Sequence, residues 1–261
     1  MFGLFRKGSL LGEELTQWQF DCFAWLLRHS GGFAAFQQRQ LIQPTAQCFA
    51  RQGAQGHAFA EVIFTQVKQH AGMAAWPCSL QVQEDDPNLL VGRALLIQGV
   101  PATPGGTFHA GEDGVVITYH PRNVSDGMVL IATFAHELAH YRTAGFEEAP
   151  PGGWEIWEPA TDLAAVFLGF GIFLANSHFS FAQHSDGESM GWRAERRGYL
   201  SEPELLHMHA IFTTLLNIPT SETLKHLKPS LRGIFKRVHK DVGRATEAID
   251  SLRGIAAMQP A

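Results

Sequence analysis

Cysteine is scarce in this chain. Three occur in 261 residues, at Cys22, Cys48 and Cys78. They are odd in number, far apart and never in a Cys-x-x-Cys pair, which argues against a disulfide framework or a cysteine-built zinc site. Reduced thiols in a cytoplasmic protein are the expectation. Charge is sparse as well: 17% of residues carry one and the net is -5. A general nucleic-acid binder is therefore not expected. Residues 1–11 hold Arg6 and Lys7 but lack the apolar stretch and small-residue cleavage site of a secretory signal. The longest apolar run, Leu163 to Ala175, is too short to span a bilayer and reads as a buried helix, so no transmembrane segment is expected. Internal repeats and low-complexity tracts are missing too.

What is present is a large apolar complement. Apolar residues make up 45% of the chain, with 19 Phe and 6 Trp, enough for a folded protein with a substantial core. Gln17 to His29 places Trp18, Cys22, Trp25 and Leu26 at helical spacing before a Gly31-Gly32 stop. Ala58 to His70 repeats the pattern with Phe59, Val62, Ile63 and Val67. Cys78, Leu80 and Val82 then alternate with polar residues, as in a strand. Ala94 to Val100 and Gly114 to His120 are two further expected strands. Between them the Gly- and Pro-rich stretch Pro101 to Asp113 reads as a loop.

Ser125-Asp126 can cap a helix from about Met128 to Ala144, with Gly145 behind it. Pro150-Pro151-Gly152-Gly153 reads as a turn and a second long helix follows through about Asn176. Ala182 to Ser201 reads as a loop. Glu202 to Asn217 and Ser221 to about Leu252 read as helices, broken near Pro219 and Pro229. The expectation is an α+β protein, mostly helical: a helical N-terminal lobe (1–75), a catalytic core with a small sheet (76–181) and a helical C-terminal lobe (182–261), together forming one unit.

Residues 136 to 140 read His-Glu-Leu-Ala-His. On a helix, positions four apart lie about 40° apart around the axis and one turn along. His136 and His140 therefore face the same way and can grip one metal ion. Glu137 sits beside that ion without needing to bind it, and can take a proton from a metal-activated water. Val129, Leu130, Phe134 and Leu138 can bury the same helix. A purely structural histidine pair is the plainer alternative.

A third ligand is needed to complete a zinc site. Thr143 and Phe146 stand where the metzincin pattern requires Gly and His, and the Glu-Gly-Cys motif of peptide deformylases does not occur. After a 17-residue gap the chain reads Glu158-Pro159-Ala160-Thr161-Asp162. With His136-Glu137-x-x-His140, this resembles the gluzincins, the thermolysin-like clan of zinc metallopeptidases, over roughly Val115 to Phe167. The resemblance implies a zincin-like core with Zn2+ held by His136, His140 and Glu158, and with Asp162 orienting a zinc-binding imidazole. It implies hydrolysis of a peptide or protein substrate, with Glu137 as general base. Pro159 departs from the pattern and requires Glu158 to stand in the first turn of its helix. Glu155 is the neighbouring carboxylate, but four residues after it stands Pro159, which cannot orient a histidine. By analogy with the clan, Gly114 to His120 is either an edge strand that holds substrate or an ordinary strand of the sheet.

The clan also uses a donor to the oxyanion. Tyr199 is the leading candidate, with Arg193, Arg196, Arg197, His207 and His209 behind it. His207 and His209 are two apart and make a poor metal pair. Lys225, Lys228, Arg232, Lys236, Arg237, Lys240 and Arg244, against Asp241 alone, form a basic helical stretch. It is either a solvated face or a contact for an acidic partner, a membrane surface or nucleic acid. A non-catalytic protein with a zinc-stabilised fold is the alternative to the peptidase. A basic-helix adaptor with an accidental His-Glu-x-x-His is the third reading.

Overall fold

The computed structural model describes residues 10–50, 53–83, 105–111, 114–182 and 200–258. Helix α1 (Glu13–His29) carries Glu13 and Glu14 in its first turn and Arg28 and His29 in its last, matching charge to the helix dipole at both ends. Its buried face includes Trp18, Cys22, Trp25 and Leu26, the spacing read from sequence. A short helix α2 (Gly32–Phe36) follows, then α3 (Gly56–His70), which buries Phe59, Ile63, Phe64 and Val67.

Three strands form a mixed sheet in the order β1-β3-β2. They are β1 (Ser79–Val82), β2 (Gly106–Gly111) and β3 (Gly114–Tyr119). β1 lies parallel to β3, and β2 antiparallel, with Phe108 opposite Ile117 and Gly106 opposite Tyr119. Two sequence expectations are corrected here. Residues 106–111, read as part of a loop, are a strand: Thr107-Phe108-His109-Ala110 pair across to β3. That partner makes β3 the central strand, so it has no free edge to offer a substrate. The expected strand at 94–100 lies outside the described residues.

Helix α4 (Gly127–Ala144) starts where Asp126 Oδ1 accepts from the amides of Met128 and Val129, and stops at Gly145. It is buried nearly all round, from Leu130 to His140 without a break. Such a helix must be central. α3, β2, β3, α5 and α6 surround it.

After a turn through Pro150-Gly153 come α5 (Trp157–Ala165), a π turn (Val166–Phe170) and α6 (Gly171–Ala182). The expected single helix is interrupted at Gly169, whose φ is 107°. A side chain there would run into the Gln40 carbonyl, and Ile42 N–H donates to the Gly169 carbonyl at 3.2 Å. The stretch Trp154–Ser177 is 24 residues long and apolar enough to cross a membrane by length and composition, yet its most apolar window is wholly buried in protein. The C-terminal helices are α7 (Glu202–Leu215), α8 (Thr220–Leu224), α9 (Pro229–Arg244) and α10 (Thr246–Arg253).

One core cluster runs through all of these, from Trp18 to Leu252. At its centre Phe36 meets Phe23, Phe167 and Phe212 with ring centroids 5.0–5.5 Å apart. Truncating any of these rings to alanine would cost roughly 3–5 kcal/mol. The π turn that follows α5 is thereby tied through α2 to α1 and α7.

Candidate metal centre

The centre is built where α5 crosses the middle of α4. His136 and His140 stand one turn apart on α4, and both are buried. Trp157 is the first residue of α5, so Glu158 and Pro159 fall in its first turn, as the proline demands. Glu158 Oε2 lies 3.4 Å from His136 Nε2 and 3.3 Å from His140 Nε2. The two imidazole nitrogens are 3.1 Å apart. These three side chains form a group that could hold a metal ion. Glu158 itself keeps 48% of its side chain exposed. Glu155 stands in the 3-10 turn ahead of α5 and is not part of this group.

The hydrogen bonds behind the imidazoles fix what those atoms offer. His136 Nδ1–H donates to Asp162 Oδ1 at 2.9 Å, and His140 Nδ1 meets Thr161 Oγ1 at 3.2 Å. In the tautomer with Nδ1–H on both rings, each Nε2 presents a lone pair toward Glu158; with a proton on Nε2 the ring instead donates to that carboxylate. Two lone pairs and a carboxylate oxygen converging at these distances repel one another, and either a proton on an imidazole or a metal ion among them relieves it. The donor set therefore fits a metal ion.

Asp162 is fixed in turn, since the Leu200 amide donates to its Oδ2 at 3.1 Å. Aromatic rings hold His140 from both sides. Phe108 stacks on it at 6.2 Å, and Trp157 meets it edge-on at 4.8 Å while donating Nε1–H to Thr143 Oγ1.

Glu137 lines the same cavity of about 290 Å3, with Gly106, Thr107 and Phe108 of β2, Trp157 and the three candidate ligands. β2 passes so close that a Cβ on Gly106 would stand 2.6 Å from Thr133 Cγ2 and 2.9 Å from Glu137 Oε1. Only glycine lets the strand and this carboxylate share the space.

Burial and charge act on each group. Burial pushes the Glu137 carboxyl up to about 7; the charge of His136 opposes the rise and the nearby Glu158 and Asp162 add to it. Burial also opposes the charged form of Glu158, but hydrogen bonds from His136 and His140 outweigh it and hold that carboxyl well below its ordinary range. For His136, burial is outweighed by hydrogen bonds to Asp162 and Glu158, which favour the cation. His140 goes the other way, lowered by burial and by its neighbour His136. Three carboxylates around two imidazoles make this a place for positive charge.

Residues that sequence reasoning overlooked are Thr161, the Leu200 amide, Gly106, Phe108 and Trp157. Thr161 left a signal: positions 158, 161 and 162 share one face of a helix that begins at 157. Tyr199, Arg193, Arg196 and Arg197 lie outside the described residues. His207 and His209 are elsewhere. His207 Nδ1 pairs with Gln19 Oε1 at 2.7 Å and His209 Nε2 with Thr223 Oγ1 at 3.0 Å, both in the core. They cannot reach an oxyanion at the metal centre, which corrects their place among the donor candidates. Compared with known proteins, the chain matches no family model, no curated protein and no solved structure.

Proposed function

We propose that the protein is a zinc-dependent metallopeptidase with a zincin-like core of gluzincin type. The observation that carries this reading is the convergence of His136, His140 and Glu158 on one point beside Glu137. A tetrahedral zinc with bonds of about 2.0–2.1 Å sets its ligand atoms about 3.3 Å apart. The three donor atoms here stand 3.1, 3.3 and 3.4 Å apart. Two imidazoles and one carboxylate suit zinc better than calcium or magnesium, which take oxygen ligands.

A bound zinc would supply Lewis-acid polarisation of the attacked carbonyl and make water a better nucleophile. The rest falls to the protein. Asp162 and Thr161 hold the two imidazoles in orientation. Glu137 takes a proton from the attacking water and hands it to the leaving amine. Phe108 and Trp157 exclude water and give an apolar wall for a substrate side chain.

Among the described residues β2 is the edge of the sheet beside the centre, so an extended peptide would add there rather than on β3. The alternative, a zinc that only stabilises the fold, would close its coordination with four protein ligands. Among the described residues three converge, next to a buried carboxylate with no such structural use. The test is metal content with peptide cleavage. The reading expects about one zinc per chain and chelator-sensitive hydrolysis of a mixed peptide pool. Zinc bound without cleavage of any peptide would leave only the structural role.

A further inference from the structure

The strongest feature outside the metal centre is the outer face of α9. Residues 225–244 hold seven of the chain's 20 Lys and Arg but one of its 25 acids, a local charge of +6. The rest of the chain is then at -11. Within the stretch, Lys228, Arg232, Lys236, Lys240 and Arg244 recur at every fourth position and all are exposed. At 1.5 Å per residue this row is about 24 Å long, and it winds about 160° around the helix.

The opposite face of the helix buries Leu231, Phe235, Val238 and Val242, and α9 packs mainly on α7. The basic row is thus held rigidly on the outside. Neutralisation within the protein is partial. Lys225 meets Glu222 at 2.6 Å and Arg244 meets Asp241 at 3.8 Å, while Lys228, Arg232, Lys236 and Lys240 make no ion pair among the described residues. Like charges one turn apart repel, so the row carries a cost that an external anionic surface would relieve.

We propose that this face docks the protein on an anionic lipid surface. The composition of the face selects that occupant. Besides the basic residues, its exposed positions are Pro229, Ser230, Gly233 and Gly243, and a Cβ on either glycine would meet nothing within 4 Å. The surface is therefore low in relief and has no exposed aromatic ring. A stable protein interface would want a buried aromatic or apolar anchor. Single-stranded nucleic acid would want rings on which bases stack. A headgroup plane needs neither, and clusters of four to eight basic residues on an amphipathic helix suffice for it. Because the apolar face of α9 is occupied by the core, the helix cannot insert, and the attachment is electrostatic alone. The metal centre, on α4, α5 and β2, is built on other elements.

The test is co-sedimentation of the full chain with vesicles of phosphatidylcholine, with and without roughly one-third phosphatidylserine. Binding should require phosphatidylserine at about 0.1 M salt and disappear near 0.5 M, where the screening length falls to a few ångströms. Each basic residue at the surface is worth about fivefold. Lys228→Glu/Lys236→Glu/Lys240→Glu should therefore lose binding by roughly a hundredfold or more, with helical content and metal content unchanged. The milder Lys236→Gln/Lys240→Gln pair should lose an intermediate amount. Equal binding to both vesicles, binding to neither, or a reversed variant that binds as wild type would overturn the proposal. So would tighter retention on a DNA duplex than on anionic vesicles at the same salt.

Discussion

His136 and Asp162 are joined by a 2.9 Å hydrogen bond, Nδ1–H to Oδ1, buried at the crossing of α4 and α5. The bond turns Nε2 of the imidazole toward His140 and Glu158. The carboxylate is itself held by the Leu200 amide, so three separate stretches of chain agree on one ring orientation.

Asp162→Asn should keep the fold and weaken the centre. The amide can still accept from Nδ1, but it brings no charge and also presents hydrogens to the Leu200 amide. Zinc affinity, measured by competition with a chromophoric chelator, should fall about 10–100-fold. Unchanged affinity would remove Asp162 from the account of the site.

Glu158→Ala should abolish or strongly weaken metal binding, since its Oε2 is the third converging atom. Glu155→Ala should leave the metal in place, because that side chain stands on the preceding turn, outside the converging group. Metal content of the two purified variants decides the assignment. The reverse pattern would mean that the ligand has been misplaced.

Gly106→Ala should damage both stability and activity. Its new methyl would meet Thr133, Glu137 and the Thr118 carbonyl at 2.6–2.9 Å, two of these in the sheet and helix framework. Overpacking of this kind costs roughly 1–3 kcal/mol. Gly127→Ala, where a Cβ would meet nothing within 4 Å, is the control and should unfold at the wild-type temperature or above. Equal melting temperatures for the two variants would contradict the close approach of β2 to Glu137.

Acid should unfold the protein through two core histidines far from the metal. Burial pushes His207 down to about 4 and His209 down to about 3, the latter helped by His239. An unfolded imidazole titrates near 6.5. Between these values the unfolded chain binds more protons, so stability is full above about pH 6.5 and is lost as pH falls toward the folded values. From pH 7 to 5 each ring should remove about 2 kcal/mol. Urea unfolding at the two pH values measures this. His207→Gln/His209→Gln should lose markedly less on acidification than wild type, whatever its starting stability, and an equal loss would exclude these rings as the cause.

Much of this architecture was legible in the sequence because its causes are local. Asp126 caps α4 with its own side chain, and Gly145 ends it. The apolar spacing of α1 and α3 names their buried faces. Pro159 fixes Glu158 in a first turn, and the four-residue step to Asp162 puts both on one face. The misses have distant causes. β2 is a strand because β3 is there to pair with it, and its glycines read locally as loop. The π turn at Gly169 answers to the Gln40 carbonyl, remote in the chain. A backbone donor such as the Leu200 amide has no residue type to betray it. In each case the information lies in packing between segments.

The central claim is that Glu137 works on water beside a metal that it does not bind. Glu137→Gln tests it most directly, by measuring zinc content and peptide hydrolysis on the same preparation. The amide fills the same space beside Gly106 but cannot accept the proton. The account predicts wild-type zinc content with hydrolysis reduced by at least about 10²-fold. A variant that holds zinc and cleaves peptides at the wild-type rate would contradict it.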